Sequence, residues 1–214
     1  MSFVIDNDHR CFPEALQFFV SYVARAALYR PNIFDEDDWL IISADVPHVL
    51  RLNGVRAVLG FIRTGQPEAS ALTFDIAIDV SYRPPEKTIT LPADRIGATM
   101  CTYLLGCAWE RYGHEVAAVP PKKKFCDWDA DLQFYRHIRN ACFHGGKFNI
   151  FDGLIKAPNL PEWHGRQLPE DLTQINGRKV INDFLPLTEV LWVLHDMGNA
   201  IDRVLGKLKA RSAP

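Results

Sequence analysis

The residues with the clearest chemical potential lie in one segment, Ile138 to Phe148. Arg139 stands five positions before His144, and Asn140 follows the arginine directly. An arginine holds a phosphate through its planar fork of donors, and a histidine moves protons near neutral pH. Together these side chains supply the minimum chemistry for cutting RNA without a metal ion, in a reaction where the ribose 2′-hydroxyl attacks its own phosphate.

The spacing constrains how these side chains meet. Residues five apart on an α-helix lie about 7.5 Å apart along the axis and about 140° apart around it, so Arg139 and His144 do not stack. Asn140 and His144 are four apart and share a face. We therefore expect Asn140 to orient the imidazole while Arg139 reaches the same cleft from its flank. Gly145 and Gly146 predict the end of the helix directly after His144.

A purely structural interpretation fits the same residues. Arg139 would be a surface ion-pair residue, Asn140 a solvated helix residue and His144 a cap at the end of the helix. A metal centre fits less well, because His137, Cys142 and His144 do not show a common zinc spacing. We accordingly predict no metal and no cofactor.

Arg139, Asn140 and His144 resemble the signature of the HEPN superfamily (higher eukaryotes and prokaryotes nucleotide-binding). That signature reads Arg, then Asn, Asp or His, then three variable residues, then His. The resemblance implies an all-helical core, frequent dimerisation and often metal-independent endoribonuclease activity in toxin–antitoxin and defence settings. It implies RNA as substrate, a toxin-like role and a cognate antitoxin as a candidate partner, although some members of the superfamily bind without cutting.

A homodimer also follows from the chemistry. One histidine does not easily serve as acid and base in a single step, and a two-fold dimer would place two copies of the motif in one groove. The expected active unit is therefore a homodimer with a shared groove.

Further basic residues are predicted to hold RNA phosphates: Arg136, Lys147, Lys122, Lys123 and Lys124. Arg136 lies three residues before Arg139, so both can lie on one helical stripe. The lysine run precedes Phe125 and Trp128, and aromatic side chains can stack bases. A simply solvated charge run is the alternative.

Composition limits the class of protein. The 214 residues carry a net charge of −2, which excludes a protein that coats nucleic acid by bulk charge, so any RNA contact must be a local patch. The five cysteines contain no C-x2-C pair, which favours reduced thiols in the cytoplasm. No segment is long and apolar enough to predict a membrane partner.

The fold class predicted is mainly α, a HEPN-like helical bundle in a single domain over residues 1–214. Apolar residues at helical spacing predict helices over 12–30, about 92–112, 129–144 and about 187–208. Gly113 is the expected end of the second of these helices. The acidic run at 35–38 predicts a further helical region reaching about residue 64.

Strands are predicted in two places. Strict alternation of apolar and polar residues over 72–82, followed by an apolar stretch at 88–91, predicts a β-hairpin elaboration at about 72–91. Short strands are expected around 163–181. The loop Trp163-His164-Gly165-Arg166 can line a pocket but carries no specific signal.

Two functions other than cleavage stay open at this point. The first is a non-catalytic HEPN-like module that binds RNA, a nucleotide or a partner protein, with the motif only shaping the groove. The second is a structural protein that only interacts with other proteins, which would bind no RNA even at low salt, where phosphate contacts are strongest.

Overall fold

The computed structural model describes residues 2–6, 8–29, 39–43, 49–53, 74–79, 90–92, 95–119, 124–149 and 160–206. Within these residues helix is more abundant than strand, in agreement with the predicted mainly α class. No described helix has the length and apolar character that crossing a membrane requires.

Four α-helices occur in the described residues: α1 Phe12–Tyr29, α2 Arg95–Ala118, α3 Ala130–Phe143 and α4 Val190–Val204. Short 3₁₀ turns cover Phe125–Asp127, Leu172–Ile175 and Leu187–Glu189. The four helices predicted from apolar spacing are confirmed. The predicted stop at Gly113 is wrong, because α2 continues through it. A Cβ at Gly113 would lie 2.6 Å from the indole of Trp109, so the glycine leaves room for that side chain.

Five strands form one sheet in the order β1-β4-β3-β2-β5: β1 Ser2–Ile5, β2 Trp39–Ser43, β3 Val49–Asn53, β4 Phe74–Asp79 and β5 Thr90–Pro92. β4 pairs antiparallel with β1 and with β3, whereas β5 pairs parallel with β2. The predicted hairpin at about 72–91 is therefore wrong in its pairing, although both of its strands exist. Its expected turn lies outside the described residues.

The helical region predicted from the acidic run to about residue 64 is also wrong where the structure describes it. β2 and β3 pair antiparallel, with Trp39 opposite Asn53 and Ser43 opposite Val49. The apolar runs in these segments suit a pleated strand as well as a helix, and the sequence did not distinguish the two. The rest of that predicted region lies outside the described residues.

The chain divides into two compact units. The first comprises Met1–Cys101 and Leu185–His195 and contains the five-stranded sheet and α1. α1 buries an apolar stripe at helical spacing, formed by Ala15, Phe18, Phe19 and Tyr22. That a single HEPN-like domain covers the whole chain stays a prediction.

The second unit comprises Thr102–Phe184 and Asp196–Pro214. Its α3 buries Leu132, Tyr135 and Ile138, as the sequence predicted. Two short strands, β6 Glu162–Trp163 and β7 Arg166–Gln167, pair antiparallel across a two-residue turn. A single bridge also joins Lys147 and Lys179. Short strands were predicted around 163–181, and β6 and β7 lie at the start of that range.

Within the second unit, α2 and α3 run antiparallel and in close contact. The position of a Cβ on Gly106 lies 2.9 Å from the ring of Phe143, and one on Gly146 lies 3.2 Å from Thr102. Along the contact, residue numbers therefore increase in α2 where they decrease in α3. Gly106 allows this close approach because it has no side chain to keep the helices apart. The pairing determines which residues of α2 face the Arg-Asn-x3-His segment.

Candidate functional site

The predicted motif lies in the last turn of α3 and the turn that follows it. His144 is the cap residue, with φ −95° and ψ 43°, and its backbone N–H donates to the carbonyls of Asn140 and Ala141 at 3.2 Å each. Gly145 and Gly146 both have φ +74°, a left-handed conformation that costs other residues about 1 kcal/mol or more. The predicted helix end after His144 is confirmed, and the glycines explain it.

The guanidinium of Arg139 is held from two sides. Its Nη1 donates to Oδ1 of Asn140 at 2.9 Å, and its Nη2 donates to Oε1 of Glu110 on α2. The guanidinium carbon also lies 4.9 Å from the centre of the Phe143 ring, within range of a cation–π contact. The Arg139 side chain remains 31% exposed, so solvent and ligands can still reach it.

Asn140 does not hold the imidazole as predicted. Its amide oxygen accepts from Arg139, and no side-chain hydrogen bond to His144 occurs in the part of the chain that the structure describes. The imidazole is exposed at the helix end. Arg139, Asn140 and Glu110 therefore form one hydrogen-bonded group, while the His144 ring stands open to solvent beyond it.

No pattern in the sequence pointed to Glu110. It lies 29 residues before Arg139 and on another helix, so no local pattern links the two. Its side chain is 48% exposed. A carboxylate on the motif arginine means that the guanidinium already carries a counter-charge, which any phosphate would have to share or displace.

The predicted RNA-binding residues separate into distinct environments. Arg136 is half-buried, and its guanidinium lies 3.9 Å from the centre of the Phe125 ring. Burial lowers the pKa of Arg136 from its usual value. Lys124 and Lys147 are exposed, and Lys122 and Lys123 lie outside the described residues.

Basic residues that the sequence analysis missed lie beside the motif. The backbones of Lys147 and Lys179 form an isolated antiparallel bridge. Next to it, the N–H of Phe148 donates to the carbonyl of Arg178 at 2.9 Å. The N–H of Val180 donates to Gly146 at 2.8 Å, so this segment lies directly against the turn after His144. Lys147, Arg178 and Lys179 are all exposed at that end of α3, where they outnumber the carboxylate of Asp183, which accepts from the N–H of Lys179 at 3.0 Å, and so form a local basic patch.

Two side chains at or next to the motif, His137 and Cys142, are uncharged at neutral pH. Burial, with a smaller contribution from the charge of Arg136, lowers the pKa of His137 to about 4. Burial, with the neighbouring Cys107, raises the pKa of the Cys142 thiol to about 12. Neither group therefore exchanges protons readily at neutral pH. The described residues contain no group of three or more His, Cys, Asp or Glu side chains arranged to hold a metal.

A separate polar cleft of about 290 Å³ lies elsewhere in the second unit, lined by Asp131, Tyr135, Glu162, Trp163, His164, Asp196, Asn199, Ala200 and Arg203. Oδ2 of Asp196 accepts from the indole of Trp163 at 3.0 Å and pairs with Nε2 of His164 at 2.7 Å. His164 adopts φ +47°, which is unfavourable for a residue with a side chain.

This cleft does not favour RNA. It presents three carboxylates, and Arg203 is already paired with Asp131 at 2.5 Å. Its net negative charge would repel phosphates. The exposed imidazole, the guanidinium and the basic patch at the end of α3 are the better place for a nucleic-acid substrate.

No protein-family model, curated protein or solved structure matches this chain.

Proposed function

We propose that the protein is a metal-independent endoribonuclease of HEPN type, toxin-like or defence-related, that cuts RNA to a 2′,3′-cyclic phosphate. The observation that supports this most is the arrangement of Arg139 and His144. A solvent-accessible guanidinium and an exposed imidazole lie on the last turn of one helix, where a long polymer can reach both.

The roles follow from the chemistry of the two groups. Arg139 stabilises the negative charge that grows on the phosphate, because a guanidinium stays protonated and offers several donors. His144 transfers a proton, since an imidazole titrates near neutral pH. Asn140 acts on the arginine: its oxygen fixes Nη1 and so the orientation of the guanidinium plane.

The surroundings supply the remaining requirements. Lys147, Arg178 and Lys179 give a positive surface in a chain whose net charge is −2. Such a local patch attracts RNA phosphates without making the whole protein a general nucleic-acid coat. A homodimer, a cognate antitoxin and a cytoplasmic location belong to the same proposal, and they rest on the resemblance and on the composition.

The first prediction tests cleavage directly. Purified protein is incubated with end-labelled RNA in EDTA, together with the variants Arg139→Ala and His144→Ala. We expect the wild type to cut and each variant to lose at least about 100-fold in rate, because Arg139 stabilises charge that grows in the transition state and His144 transfers a proton there. His114→Ala is a matched control, because His114 is an exposed histidine of α2.

Full activity in His144→Ala would refute the proposal, as would cleavage that EDTA abolishes. The products add a separate readout. An oligonucleotide with a 2′-deoxy sugar at the cut site should resist cleavage, because the attacking hydroxyl is missing.

One observation favours the alternative, a non-catalytic module that binds RNA, a nucleotide or a partner protein. Arg139 is already engaged by Asn140 and Glu110, as expected for an arginine with a structural role. RNA that binds to the wild type and stays intact would support this alternative.

A further inference from the structure

RNA cleavage by the 2′-hydroxyl needs two proton transfers, and the motif supplies one titrating side chain per chain. A base must take the proton of the 2′-hydroxyl, and an acid must give one to the leaving 5′-oxygen. His137 is poorly suited as the second group, because its ring is partly buried and burial lowers its pKa to about 4, so it has no proton to give near neutral pH. The Cys142 thiol, with a pKa raised to about 12, is no better suited.

The remaining candidate for the second proton-transfer group is a carboxylate. Glu110 contacts Nη2 of the same guanidinium that is proposed to hold the phosphate. The half-exposed side chain of Glu110 leaves part of the carboxylate open to a ligand. An ionised carboxylate has only acceptor oxygens, and one of them can take a proton.

The packing of the two helices makes this contact a consequence of the fold. Gly106 lies against Phe143 and Gly146 against Thr102, which establishes the antiparallel register of α2 and α3. Glu110 is one turn after Gly106 on α2, and Arg139 is one turn before Phe143 on α3. The register therefore brings Glu110 and Arg139 together, independently of side-chain flexibility.

The guanidinium of Arg139 can bind Glu110 and a phosphate at the same time. It has five N–H donors, and its two hydrogen bonds to side chains of the described residues use one on Nη1 and one on Nη2. Each of these nitrogens keeps a second N–H. A phosphate can thus bind Arg139 without expelling Glu110, so the carboxylate and the phosphate can be neighbours on one guanidinium.

We propose that Glu110 is the general base of the RNA cleavage proposed above, a role that rests on that function. A carboxylate oxygen of Glu110 takes the proton of the 2′-hydroxyl as the bond from O2′ to phosphorus forms. Protonated His144 gives its proton to O5′ as the bond from phosphorus to O5′ breaks. Arg139 stabilises the charge on the phosphate throughout. The products are a 2′,3′-cyclic phosphate and a 5′-hydroxyl, and solvent then restores both protonation states.

The test uses Glu110→Gln, which keeps an oxygen acceptor for Arg139 but cannot take the proton. Three quantities are measured: the cleavage rate at several pH values, the affinity for a 2′-deoxy oligonucleotide, and the thermal unfolding midpoint. We expect kcat to fall roughly 100-fold or more while affinity changes by less than about twofold. The rise of the wild-type rate with pH on the acid side should disappear, because that limb reports ionisation of the base.

Glu115→Gln is the matched control. It removes the same charge from the same helix and should keep the wild-type profile. Glu110→Asp controls for a folding defect. This variant keeps a shorter carboxylate, so it should cut RNA more slowly but retain the rise of the cleavage rate with pH on the acid side.

Two results would overturn the assignment. Tighter RNA binding and faster cleavage in Glu110→Gln would mean that Glu110 only competes with phosphate. An unchanged rate and pH profile would mean that it only holds Arg139. Both require an active wild type, whereas a wild type that cuts no RNA refutes the proposed function itself.

Discussion

Arg139 shows how a single residue can satisfy both a structural and a chemical interpretation. Its contacts with Asn140 and Phe143 are short-range, since both partners lie on α3 within four residues. Its contact with Glu110 is long-range and adds a titratable group. The structural interpretation needs only the ion pair. The catalytic one also needs donors left over and solvent access, and both are present.

The burial of His137 should make the stability of the protein depend on pH. Its pKa of about 4 in the folded protein lies below the unfolded value near 6.5, so the unfolded chain binds more protons between these pH values. The free energy of unfolding should therefore fall as pH drops from about 6.5 to 4, by up to about 3 kcal/mol from this residue. Above pH 6.5 the contribution is fully present.

Urea unfolding of the wild type and of His137→Gln at pH 7 and pH 4.5 measures this effect. The variant removes the titrating ring, so it should lose less stability on acidification than the wild type. His114→Gln, at an exposed position, should behave as the wild type. Equal losses in the wild type and His137→Gln would contradict the assignment.

The sequence pattern located the candidate residues but not their partners. Arg139, Asn140 and His144 belong to one short pattern, and the glycines marked the helix end correctly. Glu110 and Lys179 were missed, because each reaches the site through a contact distant in sequence. The role of Asn140 was misassigned because a shared helix face permits a contact without requiring it.

Within helix α2, replacing Gly113 by alanine should lower the free energy of unfolding, the opposite of the usual effect in a helix. Replacing a glycine inside a helix by alanine normally stabilises it by about 1 kcal/mol. At Gly113 the new Cβ would lie 2.6 Å from the indole of Trp109, which is only 6% exposed. The indole would have to move within a packed core, so Gly113→Ala should destabilise the protein by about 1–3 kcal/mol.

A double-mutant cycle with Trp109→Leu isolates the cause. Without the indole, Gly113→Ala should become neutral or stabilising, and the free energy of unfolding from urea titrations shows the change. The same cost in both backgrounds would mean that the strain arises elsewhere.

The strands show where sequence reasoning fails for physical reasons. Alternation located β4 correctly, because a half-buried strand has a period of two. Pairing β4 with β5 assumed that neighbouring strands in the chain are neighbours in the sheet, which holds in only about two-thirds of cases. β4 instead lies between β3, the strand before it in the chain, and β1 near the start of the chain. No local pattern contains that information.

For the whole molecule, low net charge and RNA chemistry are compatible because the charges are segregated. The end of α3 carries Lys147, Arg178 and Lys179, whereas the cleft that contains Asp196 is rich in carboxylates. Both surfaces belong to the second unit. A field of one sign at the site and of the other sign away from it steers a polyanion without strong general binding.

The Glu110 assignment changes what the proposed homodimer is needed for. With one imidazole per chain as the only proton carrier, two subunits would have to supply acid and base. With Glu110, Arg139 and His144 on one antiparallel helix pair, each chain carries a complete set, and the dimer would serve to hold RNA across a shared groove. The two arrangements differ in how subunits complement each other.

Mixing inactive variants distinguishes them. Glu110→Gln and His144→Ala are co-expressed with different tags, and mixed dimers are purified through both tags, their mass verified by light scattering. We expect no recovery of cleavage, because every chain in such a dimer lacks its base or its acid. Recovery towards half of the wild-type rate would place acid and base in different subunits, because one of the two shared sites would then keep both groups. A strictly monomeric protein that cuts RNA at the normal rate would remove the dimer from the proposal and leave the Glu110 assignment intact.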